Sequence, residues 1–372
     1  MEGFCEKRER ERERENGRNG YIELCRFIFA LCIVSHHFML LPTGPEHVPL
    51  IGGYIGTDFF FILSGFFLYA AAREDTDGKT TVEVVCKKFK KIFPYFLVSW
   101  LIAFAVNTVK TQPGVFRGFY NLLAGIPQLF LLTMTGIANG QSAPNAYVGT
   151  SWYLSALMVG MIAVYPLMRR YRETFVAAFA PLIAVFCYGY FMVVNGNIGV
   201  VNQFTFCKLG VFRAIAGLCL GGFCYWIAQK LKGMRLTKIG QTMASSLQIA
   251  LIFLSLLLME FYRGHNDSLQ IGIFVCLIVI SMGFDTAVNR FFAGPVTAFL
   301  GRFSMAIFLS QSVTYMYGVL PYPEDWRLCY AVHYGYVLCA SLLVYYSVAL
   351  LRRAALWEKI KKLLFANGKQ QG

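Results

Sequence analysis

The chain has 372 residues, 57% of them hydrophobic and 15% charged, with a mean hydropathy of +0.53. A soluble protein carries nearer a quarter charged residues, so this composition excludes a soluble domain and indicates a polytopic membrane protein. The net charge of +14 does not indicate nucleic acid, because the basic residues fall in short clusters at the ends of apolar runs, as the positive-inside rule requires.

Residues 1–20 hold the run EKRERERERENGR, in which acids and bases balance and no apolar face emerges. This reads as a charged cytosolic tail. No small-residue cleavage site follows, so the first apolar run, residues 21–41, is read as an uncleaved anchor rather than a signal peptide. That run carries Arg26 near its start and His36 and His37 near its end. At about 100° per residue, Arg26 and His37 share one helix face, roughly 16 Å apart along the axis, while His36 points about 100° away. Ionisable groups within a span are costly and mark functional positions, although an arginine alone can snorkel to the headgroups.

The second span, residues 54–72, opens with YIGTDFFFILSGFF. Its Asp58 lies at a depth similar to that of His37, across a short Pro/Gly loop. Two readings stand for Asp58. It can hold the second nitrogen of His37 and so raise its basicity, or it can cap the start of the helix. Ser64 reads as a packing or backbone-bonding residue rather than a nucleophile. With His36 and Trp152 it is taken as a substrate-lining position.

The stretch KKFKKIFPYF opens the third span, residues 92–108, and places Lys88 and Lys91 one helical turn apart. Such a pair suits the phosphates of a cofactor, or anionic lipid headgroups. The next apolar run, residues 119–137, contains Pro127 and leads into the uncharged segment ANGQSAPNAYVGT. The KKFKK and RRYRE clusters on either side both mark the cytosolic face, so this run must return to the side it came from, as a re-entrant or interfacial segment. Further spans are predicted at 152–168, 175–194, 209–228, 244–262, 269–284, 303–320 and 330–351. The expected fold is all-α, with about ten transmembrane helices, in a cell-membrane protein whose termini are both cytosolic. Its membrane domain occupies residues 21–351, between the tail 1–20 and a basic tail at 352–372. The 11 cysteines stand mostly alone in apolar runs and show no zinc-ligand spacing, so no metal site is expected.

These motifs together resemble the acyltransferase 3 family, integral membrane enzymes that move acyl groups, often acetyl, to sugars and other hydroxyl acceptors. The family's arginine and a histidine eleven positions later are matched by Arg26 and His37. Its second-span signature is matched by Gly56, Asp58, Phe59, Phe60 and the run from Leu63 to Phe66. Its basic pair before an Ile-aromatic-Pro run is matched by Lys88 and Lys91. Its tryptophan-led span ending in Tyr-Pro-Leu is matched from Trp152 onward, and its late Gly-basic-x-Ser run by Gly301, Arg302 and Ser304. The resemblance implies a membrane O-acyltransferase that uses acyl-CoA, with acetyl-CoA as the expected donor, and a cell-surface or lipid-linked glycan as acceptor. It implies His37, Arg26 and Asp58 as catalytic residues and Lys88 and Lys91 as donor-binding ones. The sequence departs from the family where its basic pair is usually two arginines, which grip phosphate with two prongs. It departs also at Leu157, where many members have an acidic residue, and at Gln311, where many have a histidine. A transporter or flippase of a polyprenyl-linked sugar is the rival reading. Ten spans, an aromatic content of 16% and intramembrane charges favour it. The lack of visible repeats and the position of His37 and Asp58 near one face oppose it.

Overall fold

The computed structural model describes residues 19–41, 47–75, 78–135, 147–199, 208–261, 266–315 and 320–353. The expected tails 1–18 and 354–372 lie outside the described residues. The long elements are α1 (Gly20–His37), α2 (Gly56–Glu74), α3 (Thr81–Thr111), α4 (Val115–Leu129), α5 (Ser151–Thr174), α6 (Ala180–Asn195), α7 (Leu209–Leu231), α8 (Lys238–Glu260), α9 (Asp267–Gly283), α10 (Pro295–Ser310) and α11 (Trp326–Arg353). The protein is an all-α polytopic membrane protein, and no strand occurs among the described residues.

Among the described residues, eight apolar helical segments are long enough to cross a membrane. One of them, Ser151–Asn195, runs 45 residues, which as a straight helix would be about 67 Å, twice the hydrocarbon thickness. It is divided at Arg172, whose φ of 40° and ψ of −116° are not helical, so α5 and α6 are separate elements, as the RRYRE cluster implies. Helix α9, at 17 residues, is at the short end of spanning lengths. Counting these, the ten expected spans are all present.

Several helices start earlier than their apolar runs, α3 and α10 by the most. Helix α3 extends back through the lysine cluster to Thr81, because Thr80 and Glu83 form a reciprocal capping box. Helix α10 begins at Pro295, in the first turn where proline's missing N–H is not needed, and runs through Arg302. Charged flanks hid both extensions from a reading by hydropathy.

Helix α7 lies at the centre, packed on α2, α5, α6 and α9. Its closest approach is to α2. A side chain at Gly65 would strike the Leu218 backbone, and one at Gly221 would strike the backbone at Ile62. Glycine at these two positions lets the helix axes draw together. A second, smaller core joins α1, α3, α10 and α11 through Ala30, Val34, Val98, Phe303, Ile307 and Val344. The interior between these two groups holds the cavities described below.

Segment α4 packs on α3 and is joined to the start of α5. The Gln128 side chain donates to the Val148 carbonyl at 2.8 Å and to Ser151 Oγ at 2.9 Å. The Tyr147 hydroxyl donates to Asn121. These bonds tie α4 to the residues that open α5. Val115, Phe116, Phe119 and Tyr120 on it are exposed.

Candidate active site

Helix α1 joins two cavities. At its Arg26 end lies one of about 260 Å³, lined by Glu23, Arg26, Phe60, Ser64, Lys88, Lys91, Tyr153 and Leu157, among others. Three cations and one carboxylate face it. Arg26 pairs with Glu23 at 2.7 Å, and Lys88 and Lys91 add two further cations to the lining, a set of groups that suits an anion such as a phosphate group. The Glu23 carboxylate lies against α10 where Gly301 has no side chain, which gives the late glycine motif a physical role.

At the other end of α1 a cavity of about 240 Å³ is lined by His36, His37, Tyr54, Thr57, Thr150, Trp152, Arg213 and Phe308, among others. The two share no lining residue. Between them stand Phe60, Tyr153 and Phe308, with Phe308 5.2 Å from Tyr153 and 6.4 Å from Phe60, ring centre to ring centre.

His37 is held on two sides. Its Nδ1 is 2.9 Å from Gln311 Oε1, and its ring stacks on Tyr315 at 5.0 Å. Gln311 Nε2 donates to the Phe308 carbonyl, which fixes Oε1 as the atom facing the histidine. An amide oxygen only accepts, so Nδ1 carries the proton and a neutral His37 has its lone pair on Nε2. His36 has the same arrangement with a backbone partner, its Nδ1 2.7 Å from the Ile51 carbonyl. The helical wheel turns His36 away from the Arg26 face, yet it lines the same cavity as His37, because the chain folds back over it at residues 50–55.

Asp58 takes neither of its two expected parts. It is fully buried, its carboxylate is gripped by Arg213 through Nε at 2.8 Å and through Nη2, and the Tyr188 hydroxyl donates to its other oxygen at 3.1 Å. It makes no hydrogen bond to His37, and it does not cap α2, whose N-cap residue Ile55 has no side-chain partner. A buried arginine on the facing helix is the stronger partner for a buried carboxylate than a neutral imidazole. Arg26 likewise joins Lys88 and Lys91 rather than His37, although the two share a helix face. Ser64 lines the basic cavity, while His36 and Trp152 line the histidine one.

Residues 19–352 match the model of the Acyl_transf_3 family, an acyltransferase domain. The chain belongs to the acyltransferase 3 family. It is thus a membrane acyltransferase, and the match covers most of the chain. No curated protein and no solved structure matches it.

For this acyltransferase 3 chain, sequence reasoning misses the part played by two residues, Arg213 in the lining of the histidine cavity and Gln311 behind His37. Arg213 was legible in principle, since an arginine within the apolar run KLGVFRAIAGLC is costly unless paired. Gln311 was noted only as a departure from the family, and its contact with His37 depends on a fold that brings the end of α10 to the end of α1.

Proposed function

We propose that this protein transfers an acetyl group from acetyl-CoA to a hydroxyl of a cell-surface or lipid-linked glycan. The observation that carries the reading is the pair of cavities along α1, cationic at one end and built of histidines and aromatic rings at the other. Lys88, Lys91 and Arg26 would hold the donor's phosphates. Trp152 and Tyr54 offer ring faces for a sugar. His37 acts as general base: Nε2 accepts the acceptor hydroxyl's proton as its oxygen forms a bond to the thioester carbonyl carbon. The C–S bond then breaks, and the proton on Nε2 passes to the leaving thiolate.

The basic clusters and the positive-inside rule support an orientation with the Arg26 end and both termini in the cytosol of a cell-membrane protein. Purified protein in liposomes, given acetyl-CoA labelled in the acetyl group, is expected to label the glycan. Absence of label on any hydroxyl acceptor would remove the reading. Orientation is checked by Val115→Cys, at an exposed position on α4, in a background cleared of reactive native cysteines. An impermeant thiol reagent is expected to reach it from outside intact cells. Labelling only after the cells are opened would invert the topology.

A further inference from the structure

The mechanism above leaves one buried charge in the histidine cavity unused. Arg213 is 1% exposed, yet it lines that cavity. Its Nε and Nη2 are committed to Asp58, to Thr57 Oγ1 at 2.6 Å and to the Tyr54 carbonyl at 2.9 Å. Its Nη1 makes no hydrogen bond within the described residues and is not among the buried unpartnered atoms, so that nitrogen opens onto the cavity. The guanidinium carbon sits 5.5 Å from the Trp152 ring centre and 5.9 Å from that of Tyr54. Tyr54 in turn is 5.2 Å from the His36 ring, which is 5.5 Å from His37.

A guanidinium anchored by this many partners is fixed in place, and it presents one rigid N–H pair to a space shared with the general base. Asp58 cancels its formal charge, which leaves the site poorly suited to a permanent anion on the acceptor. A fixed donor whose formal charge is already balanced is suited instead to charge that develops only during reaction, since no reorganisation is then needed.

We propose that Arg213 is a further catalytic residue, its Nη1 donating to the carbonyl oxygen of the acyl thioester and stabilising the negative charge that forms there when the hydroxyl attacks. As the acceptor oxygen bonds to the carbonyl carbon, the C=O electron pair moves onto oxygen under Nη1. It returns when the C–S bond breaks. This rests on the acetyl-transfer reading. Asp58, Thr57 and Tyr188 are then positioning residues for the guanidinium.

The test compares acetyl-CoA with its dithioester analogue, in which sulfur replaces the carbonyl oxygen, on wild-type protein and on Arg213→Lys. Lysine keeps a cation beside Asp58 but has one nitrogen, which cannot serve both Asp58 and the cavity. The expected result is a fall in kcat on the order of 10²–10³-fold with acetyl-CoA, an unchanged KM for the donor, and a collapse of the wild-type preference for oxygen over sulfur. Thr57→Val removes one anchor and leaves the ion pair intact. It is expected to fold and insert with a lowered melting temperature while lowering kcat and narrowing the same preference, so the inference stays exposed if Arg213→Lys does not fold. An active wild type whose oxygen-to-sulfur ratio is the same in both variants would overturn the role of Arg213. A wild type inactive with either donor would instead overturn the acetyl-transfer reading beneath it.

Discussion

The two ends of α1 are built on different principles. At the Arg26 end, long cationic side chains converge on a cavity from α1 and α3, and their common property is charge. At the His37 end, rings are locked by amide and carbonyl oxygens, by stacking, and by a buried ion pair. The first arrangement can hold a ligand whose exact pose is set elsewhere. The second fixes atoms in direction as well as in distance. Substitutions that keep charge should therefore be tolerated at the first end, and those that keep only polarity or size should fail at the second.

The largest effect should come from His37→Ala, expected to lower transfer by about 10²–10⁴-fold, the usual worth of a general base, at wild-type abundance in the membrane. Near-wild-type transfer by this variant would remove the distinction between the two ends. Next comes Gln311→Leu, which leaves the imidazole N–H without its acceptor. Its cost should be on the order of 10- to 100-fold in kcat, the rate equivalent of about 1–3 kcal/mol for an unmade buried hydrogen bond, with little change in donor KM. A change confined to KM would move Gln311 out of the base's support.

The lysine pair should behave in the opposite way. Lys88→Ala with Lys91→Ala is expected to raise donor KM on the order of tenfold, whereas arginine at both positions should preserve binding or tighten it. Equal donor binding by all three versions would return the pair to the lipid headgroups. The smallest effect is expected at His36→Ala, below about tenfold in kcat. Because His36 faces the same cavity, a loss there as large as at His37 would mean that the two rings share the proton.

The all-α fold and the number of apolar spans were legible because they follow from the lengths of apolar runs and the positions of basic clusters, which are local properties. Arg26, His37, Lys88 and Lys91 were legible as ionisable groups in or beside apolar runs for the same reason. Their grouping was not. The helical wheel relates residues on one helix but is silent about what approaches from others, so it placed Arg26 with His37 and His36 away from both. Asp58 was the clearest case. Its sequence neighbours offered a nearby histidine or the end of its own helix, and its actual partner, Arg213, lies on another span. Only the backbone contact at Gly65 and Gly221 brings that arginine to it.

That contact has a mechanical side. Two helices pinned backbone to backbone form a lever. Asp58 stands two turns before Gly65 on α2, about 10 Å along the axis. Arg213 lies on the same side of the pin on α7, two turns before Gly221. At that arm length each degree of opening or closing moves the pair by about 0.2 Å, so about five degrees gives the ~1 Å misplacement that costs on the order of 10²-fold in rate. A methyl group at either glycine would pry the pin apart. A bilayer too thick or too thin for these helices shifts their tilt, and the same arm carries that shift to the guanidinium.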